Sequence, residues 1–127
     1  MTPEAQRIAI AEACGWTWMR WGNPPDETNR FMAPPGRGAK GSMIQCERPT
    51  HGRPINLNDI PDYLNDLNAM HEAEKTLDFR DRRKFAEKLS AITETERGDH
   101  WDDALALCHA TAKQRAEAFL RAKGLWV

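Results

Sequence analysis

No apolar stretch of this sequence approaches the roughly 20 residues that a membrane-spanning helix requires. Its first residues, Met1 to Glu4, lack the basic and apolar segments of a secretory signal peptide. The three cysteines, Cys14, Cys46 and Cys108, are an odd number at wide spacing, which is typical of free thiols in a reducing compartment. We therefore expect a cytoplasmic protein without a membrane partner.

The sequence also has almost no net charge and only one tyrosine. Its 18 basic and 19 acidic side chains give a net charge of −1, so no overall field attracts nucleic acid, and we find no strong nucleic-acid signal. Five tryptophans, in contrast, are many for 127 residues. The length and the 40% apolar content predict a single domain, residues 1–127, with a modest core.

The charges are unevenly distributed along the chain. Residues 1–57 contain seven basic and five acidic side chains, whereas residues 58–127 contain eleven and fourteen. Five of the basic residues lie between positions 30 and 53, where the only acidic one is Glu47. This basic segment is rich in glycine and proline, so we predict that it forms a contact surface. The predicted ligand-binding residues are Arg20, Trp21, Arg37, Lys40, Arg48 and Arg53.

Patterns in the first half of the chain predict one helix and then a small sheet. The helix ends at Gly15, a residue type that commonly follows the last helical turn. Residues 16–21 alternate as a strand does. Within the loop-rich segment 22–53, two short strands near 30–33 and 42–47 are expected to pair with each other as an antiparallel hairpin.

The second half predicts mainly helices. Residues 58–77 and 80–92 have helical apolar spacing, and Thr111 with Gln114 forms a capping box at the start of a last helix. The apolar run 104–110 fits either a strand or a helix start. We favour the strand because the capping box follows it directly. The resulting order of elements predicts an α+β fold with a small, mainly antiparallel sheet.

The tryptophans of the first strand pose a packing problem. Trp16 and Trp18 lie on one side of the strand, and Trp21 lies on the other. Either both faces of the strand are covered, or one tryptophan lies at an interface. An exposed tryptophan beside the basic segment would provide a surface for stacking and cation contacts, which suits a nucleotide or a protein partner.

The glycine-rich loop at 36–42 is a candidate for contact with a phosphate. Its backbone N–H groups, together with Arg37 and Lys40, could bind an anion. The loop does not have the spacing of a P-loop, however, and no strong helix follows Ser42. The alternative is an ordinary hairpin tip.

Metal binding and catalysis have weaker support. Cys46 and His51 are five residues apart, and the adjacent Cys108 and His109 would point to opposite faces of a strand, so no zinc spacing is present. Cys108 with His71 or His109 could form the thiolate pair of a small enzyme, although free cysteines are common in protein cores. We predict no catalytic residues, no metal and no cofactor.

Three blocks carry a resemblance to a known family: IAIAEACGW at 8–16, PDYLNDLNAMHEAE at 61–74 and ATAKQRAEAFLR at 110–121. They resemble the small bacteriophage and prophage proteins that are grouped as the phage ABA sandwich domain family. The resemblance implies an α/β/α sandwich and a location in the cytoplasm of a bacterial host. It implies no catalytic residue set.

Three hypotheses of function follow. The leading one is a non-enzymatic phage accessory protein that acts by binding a small anionic, nucleotide-type ligand or a host protein, for example to counter host defence. The second is a self-assembling structural or interaction protein, a homo-oligomer whose anchors are the tryptophan strand and the C-terminal residues. The third is a small hydrolase.

Overall fold

The computed structural model describes residues 1–22, 30–36, 43–48, 59–97 and 108–127. These residues form four helices and a three-stranded antiparallel sheet, which confirms the α+β class and is compatible with a small sandwich. The helices are α1 (Pro3–Ala13), α2 (Leu67–Glu74), α3 (Phe79–Arg97) and α4 (Ala112–Ala122). The strands are β1 (Thr17–Trp21), β2 (Phe31–Ala33) and β3 (Met43–Gln45).

The chain divides into two compact units. We call Met1–Ile10 with Pro61–Val127 the helical unit, and Ala11–Ile60 the sheet unit. The prediction of a single domain stays a prediction. No helix in the described part of the chain is long and apolar enough to cross a membrane.

The sheet has the order β2-β1-β3, and both outer strands are antiparallel to β1. The predicted hairpin between β2 and β3 is therefore wrong, because each of them pairs with β1 instead. Trp18 and Met19 point to opposite faces of β1, and their exposed fractions are only 5% and 3%. Both faces of β1 are thus covered at these positions, as a central strand requires.

The end of α1 agrees with the sequence pattern. Gly15 has φ 93°, a left-handed conformation that favours glycine. The N–H of Gly15 donates to the carbonyl of Glu12, and the N–H of Trp16 donates to the carbonyl of Ala11. These bonds satisfy carbonyls of the last helical turn and direct the chain into β1.

Helix α2 begins later than the apolar pattern predicts. The expected helix 58–77 is wrong in its first part, because Asp66 is the N-cap and accepts hydrogen bonds from the backbone of Asn68 and Ala69. Ahead of this cap, Asn65 donates its side-chain N–H to the carboxylate of Asp62. Local side-chain bonds of this kind favour a turn over a helix, so the apolar spacing continues through a segment that is not helical.

Helices α3 and α4 pack together in the helical unit. Leu89, Ala110 and Ala118 form a buried cluster, against which Phe85 and Ile92 of α3 also pack. The predicted capping box is present: the side chain of Thr111 accepts from the N–H of Gln114, and the side chain of Gln114 accepts from the N–H of Thr111.

The prediction of a strand at 104–110 is wrong at the C-terminal end of this segment. Cys108 and His109 are helical, while residues 104–107 lie outside the described part of the chain. The segment is rich in alanine and leucine, which have high helix propensity, and a short apolar run does not distinguish a strand from a helix. The capping box begins a new helix after a break of two residues.

Candidate functional site

The sheet unit presents several arginines close to one another. The pairing places Trp18 opposite Met32, and Arg20 opposite Ile44, on the same face of the sheet. Arg30 lies one residue before β2, at the position that continues this register opposite Arg20. We call Arg20, Arg30 and Arg48, together with Cys46 between them, the arginine face.

Arg30 extends across the sheet. Its Nη1 donates to the backbone carbonyl of Glu47, 2.8 Å away, and Glu47 follows β3 on the opposite edge. The Nε of Arg30 is shielded from solvent and has no hydrogen-bond partner. Among the described residues, neither Arg30 nor Arg20 forms an ion pair with an acidic side chain.

Arg48 is held differently. Its Nη1 lies 3.5 Å from Glu12 Oε1, and the other oxygen of this carboxylate accepts a hydrogen bond of 3.0 Å from the indole of Trp18. Glu12 thus balances the charge of Arg48 and fixes the buried Trp18 ring. Arg48 therefore already has an acidic partner within the chain, unlike Arg20 and Arg30 among the described residues.

The pKa of the Cys46 thiol depends on its burial and on the charges of the arginine face. Burial raises the pKa of Cys46 above its ordinary value of 9.0, and the positive charges of Arg30 and Arg20 partly offset this effect. Both guanidinium groups are therefore close enough to Cys46 to act on it. At neutral pH the thiol keeps its proton, so Cys46 is not an activated nucleophile.

The raised pKa of Cys46 predicts a loss of stability at alkaline pH. A group whose pKa is higher in the folded chain stabilises the fold fully below its unfolded pKa, and this contribution is lost as the pH rises above about 9. The decrease in free energy of unfolding between pH 7 and pH 10, measured by urea titration, should be larger in the wild type than in Cys46→Ser. Equal decreases would show that Cys46 titrates normally.

Three of the six predicted ligand-binding residues lie in the described part of the chain. Arg20 and Arg48 lie on the arginine face, and Trp21 pairs through its backbone with Met43. Arg37, Lys40 and Arg53, and most of the glycine-rich loop, lie outside the described residues. Arg30 belongs to the basic segment but is not among the predicted binding residues. Its alignment with Arg20 depends on the pairing of β2 with β1, which no local pattern in the sequence indicates.

The helical unit contains a second feature, a cleft of about 330 Å³ that is open to solvent. We call it the helical groove. Glu74, Lys75, Leu77, Arg82, Phe85 and Arg115 line it. His71 also contributes to the lining and is exposed. The groove therefore combines apolar walls with several cations.

The other candidate chemistry has less support in the described residues. All three cysteines are free, as predicted, and Cys108 is exposed. Within the described ranges, no group of three or more His, Cys, Asp or Glu side chains could hold a metal ion. No family model, no curated protein and no solved structure matches this chain.

Proposed function

We propose that this protein is a non-enzymatic binding protein, and that its arginine face holds a small anionic ligand of the nucleotide type. One observation carries the proposal: Arg20 of β1 and Arg30, directly before β2, are opposite each other in the sheet register, and neither forms an ion pair within the described residues. Two neighbouring guanidinium groups repel each other. A phosphate bound between them would offset this repulsion, because its oxygens accept charge-assisted hydrogen bonds from both groups.

The geometry suits an oxyanion more than a neutral ligand. The Arg30 side chain is already ordered by its bond to the Glu47 carbonyl, so less side-chain entropy is lost when a ligand binds. Guanidinium groups also match phosphate oxygens in a bidentate manner. The indole N–H of Trp18 is bonded to Glu12 and the ring is buried, so Trp18 does not supply a stacking surface.

The biological setting of this proposal rests on the resemblance to phage proteins. A phage protein in the host cytoplasm that holds a signalling nucleotide would lower its free concentration and so counter a defence response. Binding alone is sufficient for this role, and no catalytic group is needed. The same face would serve a host protein that presents a phosphate or carboxylate group.

Isothermal titration with a cyclic dinucleotide, a linear nucleotide and inorganic pyrophosphate tests the proposal. We expect at least one of these to bind, and Arg20→Gln and Arg30→Gln each to weaken binding about tenfold, as the loss of one charge-assisted hydrogen bond implies. Arg80→Gln, an exposed arginine of α3, is the matched control and should bind as the wild type does. The absence of heat with all three ligands would refute the proposal for folded protein.

One observation favours the second hypothesis, self-assembly. In the described part of the chain, Ile44 lies on the edge strand β3 and is 44% exposed, and the outer side of an edge strand can pair with another chain. In a self-assembling protein, Ile44→Lys would reduce the molar mass that light scattering measures at high concentration. A wild type that stays monomeric at every concentration would exclude this alternative.

A further inference from the structure

The helical groove is independent of the arginine face, because it lies entirely in the helical unit. We propose that it is a second binding site, for a small aromatic molecule that carries one anionic group. The aromatic part would lie against Leu77 and Phe85, and the anionic group would bind Arg82. This inference does not rest on the proposed function.

The apolar part of the groove has the right size and composition. Its volume of about 330 Å³ lies at the lower end of ligand sites, which range from roughly 300 to 1,000 Å³. Leu77 is buried and Phe85 is half-buried, so both are held in place by the surrounding helices. A flat ring that covers Phe85 would remove apolar surface from water, with little further loss of side-chain conformational entropy.

The charges of the groove select an anion. The charge of Arg115 is balanced by Glu74, and that of Lys75 by Glu72. Arg82 forms no ion pair within the described ranges. Its nearest acidic neighbours in the sequence are engaged elsewhere: Asp78 accepts from the N–H of Asp81, and the carboxylate of Asp81 lies 3.0 Å from Lys123.

The spacing of the two key residues fits one ligand. Arg82 and Phe85 are three positions apart on α3, which places their side chains on the same side of the helix. A ring that contacts Phe85 can therefore reach Arg82 with a group attached directly to it. This placement favours a compact aromatic sulfonate, carboxylate or phosphate over a long aliphatic chain.

The test uses 8-anilinonaphthalene-1-sulfonate, an aromatic anion whose fluorescence intensity increases when it binds in an apolar environment. We expect saturable binding of one molecule per chain, with Arg82→Gln weakening it about tenfold. Arg83→Gln is the matched control: it removes the same charge from the neighbouring position of the same helix, is also exposed, and does not line the groove. Near-ultraviolet circular dichroism checks that every variant keeps its tertiary packing.

Each outcome decides the proposal. Weaker binding in Arg82→Gln, with wild-type binding in Arg83→Gln, supports the groove as the site. Equal weakening in Arg82→Gln and Arg83→Gln would mean a general charge effect and overturns the proposal, as would the absence of saturable binding. Because both variants leave Arg20 and Arg30 of the sheet unit unchanged, a failure here is distinguishable from a failure of the arginine face.

Discussion

Replacing Phe119 with alanine is expected to lower the free energy of unfolding by about 3–5 kcal/mol. The side chain of Phe119 is fully shielded from solvent and is among the largest buried side chains of the described residues. Because protein interiors are closely packed, the change would leave a cavity in the core of the helical unit. Urea unfolding followed by circular dichroism measures the loss.

The matched control for this prediction is Phe79→Ala. Phe79 is 85% exposed at the start of α3, so the same substitution removes little buried surface there. We expect its effect to stay within about 0.5 kcal/mol. Similar losses for Phe119→Ala and Phe79→Ala would contradict the packing described for the helical unit.

Replacing Arg115 with methionine is expected to cost about 2–4 kcal/mol. Arg115 Nη1 lies 2.6 Å from Glu74 Oε1, and the two side chains are only 13% and 15% exposed. The second oxygen of Glu74 is shielded and accepts no hydrogen bond from the described residues. Without Arg115, the carboxylate would therefore lose its main compensation for being out of water.

A double-mutant cycle separates this effect from lost packing. If the cost comes from the unpaired charge, Arg115→Met combined with Glu74→Leu should regain much of the stability lost in Arg115→Met alone. The exposed pair Lys75 and Glu72, 2.7 Å apart, is the control, and Lys75→Met should change stability by less than about 1 kcal/mol. Additive losses in the cycle would show that the charges of Arg115 and Glu74 are not coupled.

Features that depend on a few neighbouring residues could be predicted from the sequence. The capping box of Thr111 and Gln114 and the left-handed Gly15 are examples, because their hydrogen bonds connect residues that are close along the chain. The α+β class also follows from local periodicity. Two of the six predicted ligand-binding residues, Arg20 and Arg48, lie on the arginine face.

Features that depend on distant pairing could not be predicted. The pattern of β2 and β3 fits a hairpin as well as it fits two edges of β1, and only the burial on both faces of β1 distinguishes these arrangements. The start of α2 depends on competing side-chain bonds at Asp62 and Asp66. The helical groove requires residues from three helices, so no single segment indicates it.

The central claim is that the arginine face binds an anion, and nuclear magnetic resonance tests it most directly. In a titration of ¹⁵N-labelled protein with inorganic pyrophosphate, we predict saturable shift changes in the side-chain Nε–H signals of Arg20 and Arg30 and in the backbone amide of Cys46. The signal of Arg121, which stacks on Trp126 at 5.0 Å, should remain unchanged. Unchanged signals of Arg20 and Arg30 at saturating pyrophosphate would contradict the claim.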